Sequence, residues 1–323
     1  MTSSELRARD AREGVAGAPR EQGLSSGDLG SPPTGCPPAR PRRRSLGLNR
    51  SQTLTAHAAL LVLCIPALMP MVWMVATSLK ADTQIFATQI TLRSLFPYPA
   101  HWGNYVGAMR AIPLVLYLKN TLLLCILTVI GAVGSSAVVA YGFAKMEFPG
   151  KGFLFLVMIS TMALPVQVTM VPVFALFRWL HWFGTYLPLI IPSFFGAPFF
   201  IFLLTQFYRT LPSELSEAAR VDGAGEWRIF WQIMAPLSKP ALVTCALFQF
   251  MGTWNDLFGP LLYINDPGKY TLAYGLQQFV SIHGSEWARL MAGSTIFVLP
   301  IILLFFFAQK TFIQGIATTG GKN

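Results

Sequence analysis

The largely apolar stretch at residues 241–264 contains four side chains that are the best candidates for binding a solute. They are Gln249, Trp254, Asn255 and Asp256. Polar groups within a membrane span are costly and are candidates for a functional role by default. An aromatic face beside planar amide and carboxylate groups is the kind of surface that binds sugars, so this set is a candidate substrate path. In the alternative, structural interpretation, Asn255 and Asp256 hydrogen-bond a neighbouring helix or lie near the outer interface, where water reaches them.

The sequence motifs of nucleotide-binding loops, zinc enzymes and serine hydrolases do not occur in the sequence. The Gly-Lys pairs at residues 150–151 and 268–269 are followed by Gly and Tyr, so neither supplies the hydroxyl of a phosphate-binding loop. No His-Glu-x-x-His zinc motif and no Gly-x-Ser-x-Gly nucleophile motif occurs. The four cysteines have neither metal-binding nor redox spacing. We therefore predict a protein without catalytic residues, metal or cofactor, which does not itself hydrolyse ATP.

A polar, charge-bearing interval runs from Leu211 to Pro240 between two apolar stretches. Pro212 and Ser213 predict the start of a helix, with Ser213 as its N-cap. Gly223 can adopt a positive φ and end that helix. A second short amphipathic helix is predicted after it. Its apolar positions are Trp227, Phe230, Trp231 and Met234, and Pro236 and Pro240 are expected to end it.

This interval resembles the EAA loop of the permease subunits of ABC importers. Its sequence most closely resembles that of the carbohydrate importers. The residues that carry the resemblance are Glu217, Ala218, Ala219, Asp222, Gly223, Ile233 and Pro236. Ala235 stands where the family pattern has Leu. In that family the loop is a cytoplasmic helix-turn-helix that docks into a cleft on the ATPase subunit, so we name residues 211–240 the coupling loop. A merely solvated connection with two amphipathic turns is the alternative.

The composition is that of a polytopic membrane protein. Of the 323 residues, 53% are hydrophobic and 12% are charged, whereas soluble domains carry about 25% charged residues. Residues 1–50 contain no aromatic side chain and predict a disordered basic tail. The arginines at its end favour a cytoplasmic N-terminus. The net charge of +10 does not indicate nucleic-acid binding, because no aromatic-basic module follows.

Six stretches are long enough to span a bilayer, whose core of about 30 Å needs roughly 20 apolar residues. They are residues 56–79, 114–141, 153–177, 187–207, 241–264 and 287–312. Prolines lie inside most of them, and we expect Pro165 and Pro172 to interrupt the third. Such breaks indicate either a bundle with a lined cavity and moving parts or ordinary kinks at packed interfaces.

The predicted fold is an all-α polytopic membrane protein with about six transmembrane helices and a cytoplasmic coupling loop. The tail, residues 1–50, precedes a first transmembrane helix with an external segment, residues 51–113. The transmembrane core covers residues 114–313, and residues 314–323 form a cytoplasmic C-terminus. With the N-terminus inside, six spans place the coupling loop and the link at residues 142–152 on the cytoplasmic side.

The resemblance implies a permease subunit of an ATP-driven importer in the bacterial cytoplasmic membrane, which carries a sugar or sugar-like solute. It implies four partners: ABC ATPase subunits, a second homologous permease, an extracytoplasmic solute-binding protein and the lipid bilayer. Nucleic acid is not among them. The alternative is a self-sufficient secondary transporter or channel. That class predicts charged coupling residues deep in several spans and often an internal repeat, and neither is evident here.

Overall fold

The computed structural model describes residues 50–85, 96–281 and 286–320, and every regular element in these ranges is helical. The predicted tail, apart from Arg50, lies outside the described residues. Two compact units are distinguished, Met1–His57 and Ala58–Asn323. Of the first unit, residues 50–57 are described and are helical. The packing discussed below lies within the second unit.

The helices fall into three groups along the chain. The first group is α1 (Arg50–Ser78), α2 (Asp82–Ile85), α3 (Gly103–Ala111), α4 (Leu114–Lys145), α5 (Lys151–Thr161) and α6 (Val166–Trp179). The second is α7 (Leu187–Ile190), a 3-10 turn at Ile191–Phe195, α8 (Pro198–Thr210), α9 (Glu214–Val221) and α10 (Glu226–Leu237). The third is α11 (Lys239–Trp254), α12 (Phe258–Tyr263), a 3-10 turn at Pro267–Lys269, α13 (Leu272–Ser281) and α14 (Trp287–Gly320).

Four of these segments are long and apolar enough to cross a membrane: α1, α4, Leu187–Thr210 and the apolar part of α14. Two bent pairs raise the number to six if each pair is one span. The α5–α6 pair is bent by 97° and the α10–α11 pair by 79°. The described part of the chain therefore has the predicted architecture, an all-helical membrane protein with up to six spans. The last helix continues to Gly320 without a break at residue 314.

Two of the expected boundaries are wrong in detail. The third span breaks just before Pro165, as predicted, but Pro172 lies inside α6. A membrane helix can retain such a proline where neighbouring groups satisfy the carbonyl that the missing N–H leaves free. The fifth span does not continue to residue 264, because α11 ends at Trp254. There the Asp256 carboxylate accepts a hydrogen bond from the Gly259 amide at 3.0 Å and helps to start α12.

Helix α4 is the centre of the bundle. It packs along α8 and α11, and small residues allow the close approach. A Cβ atom added at Gly131 would lie 2.6 Å from the Ser193 hydroxyl oxygen, whereas one at Gly134 would meet nothing within 4 Å. Ser136 Oγ accepts a hydrogen bond from the Ala197 amide at 2.9 Å. Gly131 and Ser136 therefore lie at the helix contact, and Gly134 does not.

The two ends of α4 hold different connections. Near its start, Asn120 Nδ2 donates to the carbonyls of Gly268 and Tyr270, each at 3.0 Å. At its last residue, Lys145 Nζ donates to the Leu211 carbonyl at 2.8 Å. These two side chains are 25 positions apart, which is roughly 37 Å along a helix. The coupling loop and the 264–271 connection therefore lie at opposite ends of the bundle.

Candidate functional site

The first helix of the coupling loop ends in a Schellman motif at Gly223. The Ala224 amide donates to the Ala219 carbonyl at 2.9 Å, and the Gly223 amide donates to the Arg220 carbonyl at 3.0 Å. Gly223 has a φ of +78°, which is the left-handed conformation that this motif needs at its C′ position. The predicted role of Gly223 as the end of the helix is confirmed. The tight turn brings α10 back beside α9.

The start of α9 differs from the prediction. The Ser213 side chain makes no capping hydrogen bond. Its carbonyl instead accepts the first bonds of the helix, from the amides of Ser216 and Glu217 at 3.0 Å each. Ser213 has helical backbone angles, φ −71° and ψ −27°. An N-cap residue normally has extended angles that direct its side chain to the N2 or N3 amide. Ser213 therefore occupies the predicted N-cap position, but its side chain does not cap the helix.

The second helix, α10, presents a different apolar face from the predicted one. Ile229, Phe230 and Met234 are buried in the core, but Trp227 and Trp231 are 65% and 62% exposed. The backbone widens to a π-type turn at Phe230–Met234. Pro236 does not stop the helix, which ends at Leu237, and Pro240 lies in the first turn of α11. Proline is accepted there because first-turn amides have no partner within the helix.

The motif residues divide between the two sides of the loop. Ala219 and Ile233 are half-buried and pack against the core cluster that contains Met234 and Tyr208. The other five are exposed: Glu217, Ala218, Asp222, Gly223 and Pro236. Small inner side chains thus fix the loop on the bundle, and the outer side is free to meet another molecule.

Several large apolar side chains of the coupling loop are exposed. Besides the two tryptophans, Leu215 is exposed and Val221 is 88% exposed. Between α9 and α10 lies a cleft of about 250 Å³ whose lining includes Asp222, Arg228 and Gln232. Exposed apolar surface rimmed by polar groups marks a site of interaction with another macromolecule.

Polar contacts tie the loop to α4. Arg220 Nε and Nη2 donate to the two carboxylate oxygens of Glu226 at 2.7 and 3.3 Å. The Tyr141 hydroxyl, near the end of α4, donates to Glu226 Oε2 at 2.5 Å. The hydrogen bonds from Arg220 and then from Tyr141 lower the pKa of Glu226. The carboxylate is therefore held ionised where α4, α9 and α10 meet.

The predicted substrate-path residues are only partly brought together. Gln249 and Asp256 line one cavity of about 210 Å³, with three threonines, residues 128, 253 and 271, among its other polar lining. The amide of Gln249 donates to Thr253 Oγ1 at 3.2 Å. Thr253 Oγ1 lies 2.9 Å from Thr128 Oγ1 on α4. This cavity therefore lies between α4 and α11 and has several hydrogen-bonding groups on its wall.

The other two members of that set lie elsewhere. Trp254 is completely buried. Its ring stacks on Phe250 at 5.4 Å between centroids and is 5.5 Å from Phe297. Asn255 is exposed, and its side-chain amide donates to the Met251 carbonyl at 2.8 Å. In this structure the Trp254 ring has no face open to a solute, and Asn255 closes the end of α11.

Comparison with known proteins decides the family. The profile of the binding-protein-dependent transport system inner membrane component matches residues 132–318. The chain belongs to this family. It is thus a permease subunit of an ABC importer.

Two curated relatives illustrate the branch in which this permease lies. The diacetylchitobiose uptake system permease protein NgcG of Streptomyces coelicolor is 30% identical over 273 residues, 83% of this chain and 88% of the relative. The arabinooligosaccharides transport system permease protein AraQ of Bacillus subtilis is 32% identical over 258 residues, 79% and 90% of the two chains. Nearly the whole length of each relative is therefore matched.

A solved structure has the same fold as this permease. A chain from the crystal structure of a bacterial ABC transporter involved in the import of the acidic polysaccharide alginate superposes with a TM-score of 0.71. The sequences are 22% identical, and the match covers 82% of this permease and 98% of that chain. The predicted fold class is thereby confirmed.

One contact of the coupling loop escaped sequence reasoning. Tyr141 on α4 and Glu226 in the loop are 85 positions apart, so no local periodicity links them. The one local signal is the spacing of Arg220 and Glu226 on either side of Gly223, which places two opposite charges across a tight turn.

Proposed function

We propose that this permease is one of two different membrane subunits of an importer for a sugar or sugar-like solute. The solute arrives on an extracytoplasmic binding protein, and two separate ATPase subunits hydrolyse the ATP. The printed names of NgcG and AraQ, which refer to uptake of sugar oligomers, support the solute class. Both termini and the coupling loop face the cytoplasm of a bacterial cell.

The observation that carries this proposal is the division of the coupling loop into a fixed inner side and an open outer side. Ala219 and Ile233 anchor the loop to the core, while Glu217, Ala218 and Gly223 remain exposed. The four large apolar side chains exposed on the loop, which include that of Val221, support a contact with another molecule. The outer side is therefore the surface that docks on the ATPase subunit, with its acidic residues setting specificity and approach.

A movement of the docked loop would be transmitted to the bundle through α10 and α11. Helix α10 leads into α11 through a 79° bend at the buried residue Ser238. Helix α11 carries Gln249, which together with Asp256 supplies polar groups to the 210 Å³ cavity. In the proposed cycle, ATP binding and hydrolysis move the loop and with it the wall of the solute path.

Charge reversal at Glu217 tests the proposal. The Glu217→Lys variant should insert normally but lose most uptake, and it should co-purify with less ATPase subunit than the wild type. Added salt should partly restore the co-purification because it screens the new repulsion. Uptake is measured with a panel of labelled mono- and oligosaccharides in cells that express the full importer.

The matched control is Glu147→Lys. Glu147 is exposed at the same end of the bundle and pairs with Lys151 at 2.9 Å, outside the coupling loop. This variant should transport and assemble like the wild type. Normal uptake and normal retention of the ATPase by Glu217→Lys would show that the loop is only a connector.

A further inference from the structure

The last turns of α4 hold the coupling loop at two points. Tyr141 and Lys145 are four residues apart and share one face of the helix. Lys145 binds the Leu211 carbonyl, where the loop begins. Tyr141 binds Glu226, the first residue of α10. Both halves of the loop are therefore attached to the same stretch of α4.

Glu226 is the common partner in this arrangement. One carboxylate oxygen accepts from Arg220 Nε on α9, and the other accepts from both Arg220 Nη2 and the Tyr141 hydroxyl. The position at the N-terminus of α10 also favours a negative charge. A single carboxylate thus links three helices.

The ion pair alone would be weak. The side chains of Arg220 and Glu226 are 38% and 36% exposed, and exposed pairs contribute little to stability. Tyr141 is different because it is buried. Its ring contacts Phe230 at 5.5 Å and Tyr208 at 6.4 Å between centroids. The hydroxyl that reaches Glu226 is therefore held in place by the core.

We propose that Tyr141, Glu226 and Arg220 form a clamp that makes the coupling loop move as one body with α4. This inference rests on the proposed function. The clamp residues are positioning residues, because they touch neither solute nor nucleotide. Without the clamp, the loop would still be joined covalently to α8 and α11 and held by Lys145, but its motion would be transmitted less completely to α4.

Motion of α4 matters because α4 forms a wall of the polar cavity. Leu124 and Thr128 of α4 line it opposite Gln249 of α11. Loss of the clamp should therefore reduce the number of solute molecules moved per ATP hydrolysed. A role confined to folding would instead reduce the amount of importer and leave this ratio unchanged.

The test uses the complete importer, reconstituted in proteoliposomes with its binding protein, and measures uptake and ATP hydrolysis in the same preparation. Glu226→Gln removes the charge and keeps the shape, and Tyr141→Phe removes the hydroxyl and keeps the packed ring. In each variant the ratio of solute moved to ATP hydrolysed should fall about tenfold, a factor within the range expected for loss of a hydrogen bond to a charged group.

A charge swap provides rescue. Arg220→Glu and Glu226→Arg should each lower the ratio, and the double variant should recover much of it, because the pair is restored with opposite sign and Tyr141 can accept from the new arginine. Glu147→Gln is the matched control, since it removes an exposed ion pair at the same end of the bundle and should leave the ratio unchanged.

Hydrogen exchange of the purified permease provides a second readout. The amides of α9 should exchange faster in Tyr141→Phe than in the wild type, and those of α13 should not change. A wild-type ratio in both Glu226→Gln and Tyr141→Phe overturns the clamp. Wild-type importer without binding-protein-dependent uptake overturns the proposed function instead. If Glu226→Gln fails to assemble, the Tyr141→Phe ratio and the charge swap decide.

Discussion

Gly223 offers the sharpest perturbation of the coupling loop. Its φ of +78° is in the region that residues with a side chain rarely adopt. A Cβ atom added there would have no heavy atom within 4 Å. Substitution should therefore act within this chain through backbone strain alone, without any clash.

The size of that strain can be estimated. A residue with a Cβ atom in the left-handed region is disfavoured by about 1–2 kcal/mol, and a β-branched residue by more. Because 1.4 kcal/mol corresponds to about a tenfold change in an equilibrium, Gly223→Ala should open the turn about 5- to 30-fold more often. Gly223→Val should have the larger effect and tilt or detach α9 from its position.

The assay compares uptake and co-purification of the ATPase subunit in Gly223→Ala, Gly223→Val and Gly223→Asn. Asn adopts left-handed angles more readily than other residues with side chains, so Gly223→Asn should keep most of the docking if the backbone is what matters. If the turn must instead enter a narrow cleft on the partner, Asn should fail as badly as Val. Gly225→Ala is the control, because Gly225 has φ −71° and also has open space around it.

We expect Gly223→Val to insert normally, to transport little solute, and to leave ATP hydrolysis uncoupled or the ATPase loosely bound. Wild-type transport and partner retention by this variant would refute the reasoning. The same conclusion would follow if Gly225→Ala impaired transport as strongly as Gly223→Ala, because the effect would then not depend on the positive φ.

Four further predictions concern other parts of the chain. Purified alone, the permease should hydrolyse no ATP, because the sequence contains no phosphate-binding loop; hydrolysis free of contaminating ATPase would contradict this. Deletion of residues 2–38 should leave insertion and uptake nearly intact, and loss of uptake at normal protein level would contradict the disordered-tail prediction. Trp254→Ala should destabilise the protein by about 3 kcal/mol or more, seen as a lower thermal midpoint, whereas Trp254→Phe should not. In contrast, Gln249→Leu should raise the solute concentration for half-maximal uptake at an unchanged midpoint.

Features that depend on a few neighbouring residues could be predicted from the sequence. The end of α9 at Gly223 follows from a glycine placed where a left-handed residue is needed, and the number of spans follows from apolar length. The break of the third span at Pro165 follows from the missing donor of proline. In each case the deciding information lies within a few residues of the feature.

Which side chains are buried depended on the packing of the helices and could not be predicted from local sequence. Spacing alone grouped Trp227 with Phe230 and Met234, but the bundle buries the face that contains Ile229, and the two indoles remain outside. The candidate substrate-path residues, 249–256, do not share one site for a similar reason. One turn of helix directs Trp254 into the aromatic core and Gln249 into a cavity, a difference that depends on where α4 and α14 lie.

Two of the connections between the coupling loop and the bundle lead to the same cavity. A polar connection runs from Glu226 through Tyr141 into α4, and a covalent one runs through Ser238 into α11. The two helices meet again at the cavity, where the hydroxyls of Thr128 and Thr253 are 2.9 Å apart. Movement of the loop as one body would displace α4 and α11 together and preserve this contact. If the clamp were lost, α4 would be linked to the loop only through the Lys145–Leu211 hydrogen bond, α8 and core packing, and it would follow α11 less closely. The contacts of Glu226 with α4 and α9 therefore determine whether a movement of the loop shifts the cavity as a whole or changes its shape.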